Sequence, residues 1–87
     1  MTNFIKELKK DKEFQRLYGI EKEKLDIAVA LTKAREKRGM TQRQVAKKAD
    51  LAWETVSRIE NAKMNPSIDV LNRAFAAVGK KLKFQIS

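Results

Sequence analysis

Bond-breaking chemistry has few candidates in this chain. It contains neither cysteine nor histidine, which excludes disulfides, thiolate zinc sites, Ser-His or Cys-His nucleophilic pairs and imidazole acid-base steps. The carboxylates of the first third, Glu7, Asp11, Glu13, Glu21 and Glu23, alternate with lysines. On helical faces such groups serve i,i+4 pairing in solvent, not paired-acid catalysis. No enzyme, metal site or cofactor is therefore expected. Groups suited to recognition are concentrated between Gln42 and Lys63: amides at Gln42 and Asn61, hydroxyls at Thr55 and Ser57, the only indole at Trp53, a carboxylate at Glu54, and cations at Arg43, Arg58 and Lys63. They donate and accept hydrogen bonds and attract anions. The charge balance agrees, because 20 Lys+Arg against 11 Asp+Glu leave +9, which signals a polyanionic partner such as nucleic acid or an anionic membrane surface. Most of that surplus lies beyond Lys24.

Short, well-capped helices must hold these groups in place. Thr41 precedes "QRQVAKKA" as an N-cap, with Gln44 three residues on completing a capping-box pattern. The spacing predicts a helix over Gln42 to Ala49 with Val45, Ala46 and Ala49 inward. "DLA" then makes a tight turn, and Trp53 to Glu60 forms a second short helix with Val56 and Ile59 inward. Its outward set is Ala52, Trp53, Glu54, Thr55 and Ser57, with Arg58 one turn on. After the loop "NAKMNPS", Ser67 caps a helix from Ile68 to Val78 that buries Val70, Leu71, Ala74, Phe75 and Val78, and Gly79 stops it. Met64, in that loop, suits either the core or a dimer seam.

The flanks are less regular. Phe4, Ile5 and Leu8, then Phe14, Leu17 and Tyr18, stand at helical spacing, with Asp11 as a cap between them and Gly19 as a stop. One broken helix or two short ones are expected over residues 1–20. From Glu21 to Arg38 a long helix follows, ended by Gly39. Ile27, Leu31 and Ala34 form one apolar stripe, while Leu25 and Val29 with Ala28 form a second that a single neighbouring layer cannot cover. In the tail "KKLKFQIS", Leu82, Phe84 and Ile86 alternate with Lys81, Lys83 and Gln85, the pattern of a half-buried strand. With no second strand in the chain, it is expected to pair with its own copy across a two-fold axis. An 87-residue body suits one small domain that buries only roughly 60% of its unfolded surface, so a partner subunit would help it. No apolar run approaches the ~20 residues of a membrane span, and a cytoplasmic protein without membrane contact is expected.

Two short helices joined by a three-residue turn, the second amphipathic and flanked by basic residues, make the helix-turn-helix layout, whose second helix enters the major groove of DNA. The segments "AREKRGMTQ", "VAKKA", "VSRIENAK" and "PSIDVLNRAFAAVGKKL" resemble, in order, the landmarks of the Xre/Cro family of phage-repressor-like DNA-binding domains. The lead-in "KDKEFQRLYGIEKEKLDIAVALTKAREKRGMTQ" with the tail "AVGKKLKFQI" is similar to the HigA-type antitoxins of bacterial type II toxin-antitoxin modules. The expected fold is all-α: a phage-repressor-like helix-turn-helix domain of about five helices, with an N-terminal helical extension (1–20), a core (21–79) and one C-terminal β-strand (80–87) paired across a dimer.

The resemblance also implies roles. Gln42 would sit at the phosphate backbone beside its helix N-terminus. Arg35 and Glu60 would form a buried structural ion pair. The first residues of the second short helix and Arg58 would approach base edges, Arg58 either as a fork to guanine O6 and N7 or as a phosphate contact, and Thr55 would touch backbone or bases. Lys63 and the backbone around Asn61 match a phosphate-contacting loop, and Arg43 would add attraction. The chain departs from the family at three neighbouring positions. Ala52 replaces the usual Ser or Thr cap, Trp53 stands where Gln is frequent, and Glu54 adds a negative charge. Trp53 is expected either to pack on DNA, covering a thymine methyl or the sugar-phosphate wall, or to fold back and shield the uncapped helix start.

For partners, the resemblance implies double-stranded operator DNA, a second copy of the chain, and a RelE-like mRNA endonuclease toxin of the HigB type. The toxin would contact Phe4, Leu8, Phe14, Leu17 and Tyr18 together with the stripe at Leu25 and Val29, and the copies would meet at Leu82, Phe84 and Ile86. The alternative is a stand-alone Xre-type phage or plasmid repressor. From another class comes a basic helical protein that associates with RNA or anionic membrane without reading sequence.

Overall fold

Twenty-six residues without a proline form the first helix, α1, Lys12–Lys37. It is followed by α2 (Gln42–Ala49), α3 (Trp53–Glu60) and α4 (Ile68–Ala77). The computed structural model describes residues 12–82, with side chains from residue 21 onward. Four helices lie among the described residues, and the first runs through Gly19, which does not act as a stop. A glycine inside a helix costs only about 1 kcal/mol relative to alanine, and the good helix formers around it, such as Leu17, Glu21 and Leu25, carry the helix through. The expected boundary at residue 20 therefore falls inside α1. Phe14, Leu17 and Tyr18 are on α1, while Phe4 and Leu8 lie outside the described residues.

All four helices end in the same hydrogen-bonded turn, in which the last orphan carbonyls accept from a residue in left-handed backbone and from the one after it. For α1 these are Gly39 N–H to Glu36 O (2.9 Å) and Met40 N–H to Arg35 O (3.1 Å); for α4, Gly79 to Ala76 (3.0 Å) and Lys80 to Phe75 (2.8 Å). The same pair of bonds closes α2 through Asp50 and Leu51, and α3 through Ala62 and Lys63. Gly39 and Gly79 take positive φ without strain, but Asp50 and Ala62 both hold φ at 55°. Asp tolerates this conformation through its short polar side chain, whereas alanine has no such relief. Ala62→Gly is therefore expected to stabilise the domain. The left-handed penalty of roughly 1–2 kcal/mol exceeds the roughly 0.4–1 kcal/mol of added unfolded-state entropy, leaving a gain of about 0.5–1 kcal/mol in urea unfolding. A loss of stability would mean that the methyl's packing outweighs the backbone strain.

The core forms where α2 packs on α3 and α4 while α1 packs on α3. Leu31, Val45, Val56, Ile59 and Val78 are fully buried, and Ala34, Ala46, Ala49, Ala74, Phe75 and Ala77 complete the cluster. The alanines at helix crossings let the backbones approach closely. Val70 and Leu71 are half-buried against this cluster, as are Ile27, Met40 and Met64, which assigns Met64 to the core side. Ala77, left out of the expected apolar face, is buried at 3% exposure. Ala28 also turns inward, at 5%, although expected on the second stripe of α1.

Only residues 80–82 of the expected C-terminal strand are among the described residues. The turn at Gly79 folds the chain back, and Leu82 lies half-buried against its own core, lining a cavity of about 330 Å³ with Asp26, Ile27, Ala30, Leu71 and Phe75. Lys80 to Leu82 form no strand. Phe84 and Ile86 lie outside the described residues.

Candidate nucleic-acid interface

The helix pair that carries the recognition groups is set by its caps. Thr41 Oγ1 accepts from Gln44 N–H at 3.1 Å while Gln44 Oε1 accepts from Thr41 N–H at 2.8 Å, so both halves of the capping box form. Asp50 in left-handed backbone reverses the chain, and Ala52 enters α3 with extended backbone and no side-chain cap. Glu54, in the first turn of α3, partly offsets the missing cap, because a carboxylate near a helix N-terminus interacts favourably with the helix dipole.

Three helices meet at the other end of α3, on the carboxylate of Glu60. Arg35 of α1 donates from Nε to Glu60 Oε2 at 2.7 Å and from Nη2 to Oε1 at 2.9 Å. Thr32 Oγ1 donates to Oε1 at 2.9 Å, and Gln42 Nε2 of α2 donates to the same oxygen at 3.2 Å. The guanidinium also donates from Nη1 to the Met40 carbonyl at 2.8 Å, which ties in the turn after α1. The side chains of Arg35 and Glu60 are only 15% and 4% exposed. Burial pushes the Glu60 carboxyl up, but the hydrogen bonds from Arg35, Gln42 and Thr32 and the charge of Arg35 outweigh it, holding the group below the ordinary carboxylate range. The bond to Glu60 raises Arg35 further.

The shared carboxylate revises the expectation for two residues. Gln42 has its amide turned onto Glu60, so only its second N–H is free to donate to a phosphate. Thr32 was missed, although it lies three residues before Arg35 on the same helix face, a spacing that brings side chains together.

The remaining groups face outward from α2, α3 and the following loop. Arg43, Glu54, Arg58, Asn61 and Lys63 are exposed, while Thr55 and Ser57 are half-buried. Asn61 Nδ2 donates back to the Ser57 carbonyl at 2.9 Å and to its hydroxyl at 3.3 Å. The Asn61 side chain thus braces the end of α3, and the Ser57 hydroxyl is engaged within the helix. Trp53 is 38% exposed, and its indole is covered on one face by Arg43, whose Cζ sits 4.7 Å from the ring centroid. That stack joins the N-termini of α2 and α3. It was not foreseen, because residues ten apart in sequence meet only through the crossing of the two helices.

A capped helix, a tight left-handed turn and a second helix with a polar outer face, buttressed from behind by α1 and α4, form a scaffold for presenting side chains to a polyanion. The Helix-turn-helix family (HTH_3) matches residues 31–84, more than half of the chain. The chain belongs to this family and is a DNA-binding transcriptional regulator. Comparison with curated proteins and with solved structures returned no match. Among the described residues, no helix is long and apolar enough to cross a membrane, and no cluster of acidic residues could hold a metal ion.

Proposed function

We propose that the protein is the antitoxin of a type II toxin-antitoxin module, which binds and neutralises a RelE-like mRNA endonuclease of the HigB type and, as a dimer, represses its own operon. In this reading two copies place their α3 helices roughly 34 Å apart in successive major grooves. Gln42, Arg43, Trp53, Glu54, Thr55, Ser57, Arg58, Asn61 and Lys63 supply the DNA-facing surface, with Asn61 acting through its backbone, and residues beyond Leu82 join the copies.

One observation carries the toxin partner. Leu25 and Val29, one turn apart on α1, are 54% and 50% exposed and line an open groove of about 440 Å³ with Ala28, Thr32, Asn61 and Ala62. DNA reading has no use for a paired apolar stripe on α1, whereas a protein partner does. The contact would continue onto the first turns of α1 and the preceding residues, through Phe14, Leu17 and Tyr18 to Leu8 and Phe4.

The test is affinity capture of the tagged full chain from its native host, with mass spectrometry of what co-purifies. A small endonuclease is expected with the wild type and not with Leu25→Glu/Val29→Glu, while both proteins retard operator DNA equally. Capture of no partner by the wild type would sink the antitoxin reading and leave the stand-alone repressor.

A further inference from the structure

The stack of Arg43 on Trp53 gives this protein a reading element assembled from both helices of the motif. Arg43 is the second residue of α2 and Trp53 the first of α3. The 4.7 Å approach of the guanidinium carbon to the ring centroid is the geometry of a cation held over an aromatic face. A cation held over a ring face in this way keeps N–H donors available to a further partner. Among the described residues, the Arg43 guanidinium makes no hydrogen bond or ion pair. The indole, covered on one side, remains 38% exposed.

The two free surfaces match two features of the major groove. An arginine fork pairs with guanine O6 and N7, and an apolar surface packs on the C5 methyl of thymine. The 4.7 Å separation exceeds the ~3.4 Å rise between successive bases by little, which suits neighbouring base pairs better than a single one. Because each side chain orders the other before DNA arrives, less side-chain freedom is lost on binding.

We infer that Arg43 and Trp53 form one unit that selects a thymine-guanine step in the operator, Trp53 covering the thymine methyl and Arg43 forking onto the adjacent guanine. The inference rests on α3 lying in the major groove, and it assigns Arg43 to base reading where only general attraction was expected of it.

The experiment uses the full-length chain and altered DNA. Binding-site selection from random duplexes is expected to return a site containing a TG step. In that site, uracil for the thymine removes only the methyl, and 7-deazaguanine for the guanine removes only N7. Each is expected to weaken wild-type binding, the guanine change by roughly 5- to 150-fold. Trp53→Gln should bind the thymine and uracil duplexes equally. Arg43→Met, which keeps the side-chain length and removes every donor, should no longer distinguish guanine from 7-deazaguanine. Circular dichroism would confirm that both variants stay folded. A selected site that tolerates both base changes, or variants that weaken binding equally on every duplex, would overturn the inference and leave operator reading intact. Selection of no site at all would overturn operator reading, and this inference with it.

Discussion

Glu60→Ala is expected to cost about 3–5 kcal/mol of folding stability, measured by urea unfolding at neutral pH. The loss follows from stranding Arg35, whose side chain is 15% exposed and whose guanidinium keeps only the Met40 carbonyl as a partner, since removal of one member of a buried pair leaves an uncompensated charge. Thr32 and Gln42 lose an acceptor in the same step. For a domain of this size the loss is a large part of a total of roughly 5–15 kcal/mol. A change below about 1 kcal/mol would mean that water replaces the carboxylate at little cost.

The same group makes stability depend on acid. The Glu60 carboxyl titrates below its ordinary range in the folded protein, so the unfolded chain takes up its proton first as pH falls. Its stabilising contribution is complete above the unfolded value of about 4.3. It declines as pH drops through the folded value and vanishes below it. Unfolding curves of the wild type and Glu60→Gln should therefore differ most near neutrality and converge in acid. A gap that stays constant with pH would place the effect in packing and not in the charge.

Operator affinity is expected to fall by roughly 10³-fold between about 50 and about 200 mM salt, with a log-log slope near −5 if the bound protein neutralises about six phosphates. The preference for the operator over scrambled DNA should survive that change. Single variants separate the contributions. Lys63→Ala should reduce the slope by about 1 per bound copy and weaken all duplexes alike, as a phosphate contact does. Arg58→Ala should relax preference at one base position by roughly 1–3 kcal/mol if the exposed guanidinium forks onto guanine, or behave like Lys63→Ala if it meets phosphate. Gel shifts across a salt series read both quantities. Equal binding of operator and scrambled DNA would point to association without sequence readout.

Much of the architecture was legible because its signals are local. Thr41, Gln44 and Ser67 act within three residues of themselves, and their caps set the starts of α2 and α4. The apolar spacing around Val45, Val56, Ile59 and Phe75 marks the buried faces. Gly19 was misread because glycine both stops helices and is tolerated within them, and residue type alone does not say which applies. The packing of Leu82 on its own core is a contact that alternation over a few residues does not reveal. At the interface, the groups on α3 could be found from periodicity, and the Arg35–Glu60 pair from family resemblance. The bonds from Thr32 and Gln42 to Glu60 and the Arg43–Trp53 stack depend on how helices cross, which no local pattern encodes.

The position of Glu60 at the meeting of α1, α2 and α3 has an evolutionary consequence. Arg35, Thr32 and Gln42 hold the back of α3, while Trp53, Glu54 and Arg58 stand on its outer side and contribute no side chain to the buried cluster. Substitutions at those three outer positions leave the hydrogen bonds to Glu60 intact. In the proposed reading a change of operator preference therefore need not disturb the Glu60 bonds, whereas a change at Glu60 would need simultaneous compensation on two other helices.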